Sequence, residues 1–124
     1  MKALFFTSRY QSVIPRQWEG VSARISYGRP RWKLQYELAV VPSLVPTKQM
    51  VFGGISELEY RIDYREQLLD HGTRKIEREI EAVAQGRPVV LLCFCDMSRP
   101  HAFCHRRVFA DWWKQQTGQV VLEL

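Results

Sequence analysis

Between Pro88 and Val108 the chain reads PVVLLCFCDMSRPHAFCHRRV, and the residues able to do chemistry crowd into it. All three cysteines (Cys93, Cys95 and Cys104) fall there, with His101, His105, Asp96, Arg106 and Arg107. Cys104 stands where a helix is expected to begin. A cysteine at a helix N-terminus beside His and Arg has a lowered pKa, so Cys104 is a candidate nucleophile or redox thiol, with His105 as its neighbour at the reacting centre. Cys93, Cys95 and Cys104 also form a candidate metal set, with His101 and His105 as further donors, since zinc favours tetrahedral sulfur and nitrogen ligation. Against this, the paired Cys-x₂₋₄-Cys knuckle is absent, and Cys104 and His105 are adjacent in sequence. A third reading is structural. Cys93 continues an apolar run and suits a small buried hydrophobe. Cys104 can pack inward while His105 and Arg106 bond to loop carbonyls.

A second group of residues suits an anion. The chain of 124 residues carries 18 basic and 13 acidic side chains, a formal net charge of +5. That balance favours a phosphate-bearing small molecule or nucleic acid as partner, although solubility alone accounts for such a charge in many proteins. Arg106 and Arg107 add positive charge to a helix start that already attracts anions. Ser8 and Arg9 end the first apolar run. The stretch Tyr27-Gly28-Arg29-Pro30-Arg31-Trp32 joins turn residues to basic and aromatic ones, so Arg29 can hold a phosphate and Trp32 can stack on a base. No Gly-rich phosphate loop accompanies them, because Gly53-Gly54 lacks the G-x-x-x-x-G-K pattern and no G-x-G-x-x-G occurs. No particular cofactor is indicated.

The elements that must position these residues follow from periodicity. Lys2 to Phe6 reads as a first strand, with Thr7-Ser8-Arg9 at its carboxyl end. Pro15 to Trp18 suits a short helix with proline in the first turn. Val21 to Ser26 alternates with the strand period. Lys33 to Pro46 reads as irregular with one helical turn, and Met50 to Gly54 as a turn. Ser56-Glu57-Leu58-Glu59 fits a capping box, and Tyr60, Tyr64 and Leu68 continue its helix at spacings of four. Gly72 interrupts, Thr73 is placed to cap a second helix with Ile76 and Ile80 inward, and Gly86 with Pro88 ends it. Val89 to Cys95 suits a central strand covered on both faces. Cys104 to Gln116 reads as a helix closed by Gly118, and Val120 to Leu122 as a last strand.

Strands separated by helical connections predict one α/β domain over residues 1–124, a small three-layer, mostly parallel, Rossmann-like sheet with helices on both faces. Ligands of such sheets bind beyond the carboxyl ends of the strands. That rule gathers Ser8, Arg9, Arg29, Cys95 and the helix start at Cys104 on one rim. No run approaches the ~20 apolar residues of a membrane span, and the chain reads as soluble and cytoplasmic.

An apolar strand ending in Cys93, a polar loop and then Cys104-His105-Arg106 resembles the carboxy-terminal signature of the domain of unknown function 488 family. Ile25 to Trp32 (ISYGRPRW) is similar to that family's second strand, Leu38 to Leu44 (LAVVPSL) to its Leu-Ala-Pro segment, and Tyr60 with Tyr64 to its recurring Tyr-x₃-Tyr. The chain departs where the family has glutamate, for Cys95 stands there with Asp96 next to it. The resemblance implies a three-layer α/β fold with a polar site at the strand ends, in which a carboxylate role falls to Asp96, is lost, or is replaced by thiol chemistry. It implies no settled reaction. Three functions therefore stand: a site for a phosphate-bearing ligand, a metal or redox thiol centre, and a non-catalytic interaction protein presenting an apolar patch around Trp18 or Trp32.

Overall fold

The computed structural model describes residues 3–12, 17–95 and 103–124. Asp96, His101 and the first half of the expected Pro15–Trp18 helix lie outside the described residues. Four strands, β1 (Phe5–Arg9), β2 (Val21–Arg24), β3 (Ala39–Val40) and β4 (Val89–Cys93), form one sheet in the order β1-β4-β2-β3, and every pair is parallel. A 3-10 turn spans Pro42–Leu44. The helices are α1 (Lys48–Phe52), α2 (Glu57–His71), α3 (Thr73–Ala84) and α4 (His105–Thr117). The result is a small Rossmann-like α/β fold. Among the described residues no helix is long and apolar enough to cross a membrane.

β4 lies inside the sheet between β1 and β2, and its sequence explains why. All five of its residues are buried. Val89, Leu91 and Cys93 point into the larger core with Phe5, Tyr64, Leu68, Ile76, Phe109 and Trp113. Val90 and Leu92 point to the opposite face, covered by Tyr10, Trp18, Tyr36 and Leu38. An unbroken apolar run is what two covered faces require. α4 meets the sheet through aromatic packing, with Phe5 6.1 Å from Phe109 and 5.6 Å from Trp113 between ring centroids.

Several boundaries differ from expectation. β1 begins at Phe5 and takes in Thr7-Ser8-Arg9, because its pairing runs from Phe5 opposite Val89 to Arg9 opposite Cys93. Ala39–Val40 is a strand, held to β2 by only two residue pairs. Met50 belongs to a short helix, not a turn, and the Thr47 side chain caps it by accepting from the Met50 amide. Ser56 caps α2 as expected, but Gly72 and not Thr73 stands at the start of α3. Gly72 has φ 82° and ψ 157°, a conformation only glycine holds readily, and it lets two helices follow one another directly. Val120 to Leu122 forms no strand of its own. The chain instead makes one parallel bridge, Glu123 to Thr7, at the outer edge of β1.

Candidate functional site

The register fixes the floor of the site. Cys93 ends β4 opposite Arg9, and on its other side the Ile25 amide donates to the Leu92 carbonyl, so the chain leaving β2 passes beside it. α4 begins at the same edge. Cys104 is its N-cap residue, yet its side chain makes no capping bond. The thiol turns instead toward β4, 2.7 Å from the Cys93 sulfur. Both are buried, while Cys95 is exposed. His105 is buried too, and its Nε2 donates to the Ile25 carbonyl at 2.7 Å. That bond leaves Nδ1 as the acceptor, 3.7 Å from the Cys104 sulfur.

The charges are unevenly shared. The Cys95 thiol is held down to about 3, first by the Cys104 and Cys93 thiols bonding to its sulfur, with His105 and Arg106 adding to this. Cys104 is pushed well up, because it is the proton donor to both neighbours and is buried as well. Burial pushes Cys93 up to about 11. Arg106 Nη1 lies 2.9 Å from the Cys93 sulfur, which alone would favour a charge there. The Cys95 sulfur is favoured instead, because it accepts from both neighbouring thiols and these bonds outweigh its own partial burial. The surroundings thus disfavour a charge on Cys104 and favour one on Cys95. The helix start is outweighed by burial and by two adjacent sulfurs. Burial holds His105 down to about 4, so it is neutral at pH 7.

Above this floor opens a cavity of about 850 Å³, within the usual size of small-molecule sites. Cys93, Cys95, Cys104 and His105 line it together. Its walls are aromatic, with Tyr27, Trp32, Phe52, Tyr60, Phe94 and Phe103. Phe94 is braced by Tyr10 at 4.8 Å and by Trp32 at 6.0 Å. Arg29 and Arg31 are exposed and stand among the lining residues.

Of the residues singled out in the sequence, the cavity gathers Cys93, Cys95, Cys104, His105, Arg29 and Trp32. Four others are not among its lining. Ser8 is buried and donates to the Leu124 carbonyl at 3.0 Å. Arg9 closes β1 beside Cys93. Arg106 is 1% exposed and fully engaged, with Nε and Nη2 on the Glu123 carboxylate and Nη1 on the Cys95 carbonyl at 2.7 Å. Arg107 Nη1 donates to Thr7 Oγ1 and to the Val121 carbonyl. The arginine pair therefore serves the inside of the protein, and among the described residues the arginines lining the cavity are Arg29 and Arg31. Glu123 is the partner that sequence reasoning missed. It is the sole acid after Asp111, and two arginines on a helix that packs inward call for a carboxylate.

Fold and centre together define a small all-parallel α/β domain with a cysteine–histidine centre at the carboxyl edge of its sheet. The chain belongs to the DUF488-N3a family, described as the active DUF488-N3 subclade, which matches residues 7–117. The match takes in the whole lining of the cavity and stops short of Glu123. No curated protein and no solved structure matches the chain.

Three of the donors, Cys93, Cys104 and His105, have ligand atoms all within 4.8 Å of one another. A tetrahedral zinc–thiolate site with bonds of about 2.3 Å sets its sulfurs roughly 3.8 Å apart. The Cys93–Cys104 approach of 2.7 Å is closer than that. As arranged, the sulfurs are set for bonding to one another and to Arg106.

Proposed function

We propose that the cavity binds a flat, phosphate-bearing ligand, a nucleotide or a nucleotide unit of a nucleic acid, and presents it to the Cys95 thiol. The observation that carries this reading is the composition of one cavity: a cysteine–histidine floor, aromatic walls and the Arg29–Arg31 rim. Bases stack on aromatic faces, and guanidinium groups match phosphate oxygens. Trp32 is 45% exposed and can receive a ring without first being uncovered. The reduced protein is titrated with nucleoside monophosphates and with a short single-stranded oligonucleotide, at low and raised salt. Binding is expected to weaken about 10-fold in Arg29→Ala, Arg31→Ala or Trp32→Ala, in line with ~1–3 kcal/mol for a stacked base. Absence of binding to both kinds of probe, or affinities unchanged in all three variants, would overturn the reading.

A metal at Cys93, Cys104 and His105 is the second reading, favoured by the clustering of the three donors and by the inward Nδ1 of His105. Binding would have to part the two sulfurs and displace Arg106 from Cys93. One equivalent of zinc retained through purification without a tag, and lost in Cys104→Ser, supports it; metal-free protein with three titratable thiols removes it. The interaction-protein reading has less support, since Trp32 lines the cavity and Trp18 packs edge-on against Phe6 and donates to the Val21 carbonyl.

A further inference from the structure

We propose that the three cysteines form a peroxide-responsive relay, in which Cys95 takes up the oxidant and the oxidation comes to rest as a buried disulfide between Cys93 and Cys104. This goes beyond ligand binding and does not depend on it. Three observations carry the proposal. Cys95 is exposed and lines the cavity, so a peroxide entering from solvent can reach its sulfur. Cys93 and Cys104 are buried with their sulfurs 2.7 Å apart, close enough to bond after a small shift. Arg106 is held by Glu123 with Nη1 on the Cys93 sulfur and the Cys95 carbonyl, so a fixed positive charge lies beside the sulfurs.

The chemistry balances in three steps. The Cys95 sulfur attacks the terminal oxygen of a hydroperoxide. The O–O bond breaks, an S–O bond forms, and the departing alkoxide or hydroxide takes the proton that the thiol gave up. Cys95 is then a sulfenic acid. The Cys104 sulfur next attacks the Cys95 sulfur, the S–O bond breaks, and the hydroxide leaves as water with the Cys104 proton. Finally the Cys93 sulfur attacks Cys104, the Cys95–Cys104 bond breaks, and Cys95 departs as a thiol with the Cys93 proton. In sum, two thiols and a hydroperoxide give a disulfide, an alcohol (or water) and water. The product ties the end of β4 to the N-cap of α4 and frees the exposed thiol for another encounter.

The test uses the full chain, reduced and kept in a chelator, with one equivalent of hydrogen peroxide. Free thiols are counted by alkylation and mass spectrometry, and disulfides are located by peptide mapping. The thiol count is expected to fall from three to one, with Cys93 joined to Cys104 and Cys95 alkylated. Cys95→Ser should lose thiols at least about 10-fold more slowly, because its remaining sulfurs are buried. Cys93→Ser should stop one step earlier, at a Cys95–Cys104 disulfide. The relay is overturned if Cys95→Ser oxidises at the wild-type rate, if the disulfides join different chains, or if the three thiols oxidise independently. Nucleotide titration of the reduced protein reads ligand binding separately, so either proposal can fail while the other stands.

Discussion

His105 shows how one side chain records the chemistry of its surroundings. Its Nε2 hydrogen is committed to the Ile25 carbonyl, the Tyr64 ring lies 5.3 Å away edge to face, and Cys104 faces Nδ1. A second proton would have to go on Nδ1, in a setting where burial opposes charge and Arg106 adds to the penalty. The folded protein therefore holds His105 at about 4, below the ordinary 6.5. Between those values the unfolded chain binds more protons than the folded one, so stability rises with pH across the window. The contribution is complete above about pH 6.5 and is lost as pH falls toward 4. A shift of this size corresponds to about 3 kcal/mol. Urea midpoints measured from pH 8 to pH 4 should show the loss in the wild type. In His105→Gln, which has no group titrating there, the slope between pH 6.5 and 4 should flatten. An unchanged slope would mean that carboxylates, Glu123 first among them, account for the whole dependence.

At the scale of elements, the pairing of β2 with β4 is the contact on which the site's floor depends, and one glycine admits it. A Cβ on Gly20 would lie 2.1 Å from the Pro88 carbonyl oxygen, which accepts from the Val21 amide at 2.8 Å. On the other side stands the Trp18 indole nitrogen at 2.8 Å, itself held by donating to the Val21 carbonyl at 3.1 Å, so neither the Pro88 backbone nor the indole gives way easily. Gly20→Ala should thus cost about 2–4 kcal/mol, at the upper end for single substitutions. Gly28→Ala, in the loop beside the cavity, meets nothing within 4 Å and should cost less than about 0.5 kcal/mol. Urea denaturation of both variants checks the contrast. The elements legible in the sequence were those whose cause is local. The unbroken run of β4 announced a strand covered on both faces, Ser56 and Glu59 announced the start of α2, and Gly118 its αL close to α4. β3 was hidden because two residues are a strand only through their register on β2. α1 was hidden because Thr47 caps a helix too short to show a period. The cavity was half legible. Its cysteines, His105, Arg29 and Trp32 stand in recognisable strand–loop–helix stretches. Its further walls come from Phe52, Tyr60 and Phe103, whose meeting depends on how α1 and α2 pack beside the sheet.

At the scale of the whole molecule, the last residues join the far edge of the sheet to the thiol centre. The Thr7 amide donates to the Leu122 carbonyl at 2.9 Å, and the Leu124 amide to the Thr7 carbonyl at 2.7 Å, which lays the tail along β1. Glu123 then accepts from Thr7 Oγ1 at 2.6 Å and from Arg106 Nη2 at 2.7 Å. Arg106 passes the connection on to Cys93 and to the Cys95 carbonyl. Arg106 is 1% exposed and the Glu123 side chain 30%, so removing the carboxylate leaves a buried guanidinium without its charge partner. Losing one partner of a fully buried pair costs about 3–5 kcal/mol. With Glu123 partly in water the expected cost of Glu123→Gln is about 1–3 kcal/mol. Partial burial works against the Glu123 charge, but Arg106, Thr7 and Arg107 hold its pKa below the ordinary carboxylate value. That contribution is present above the ordinary carboxylate range and is lost as pH falls through the lowered value, so the stability deficit of Glu123→Gln should be largest near neutral pH and close in acid. The same variant frees Arg106 to leave Cys93, and the rate of Cys95 alkylation should change with it. A urea midpoint equal to the wild type at pH 7, together with an unaltered alkylation rate, would show that the tail merely lies along β1 and does not help to set the charge at the centre.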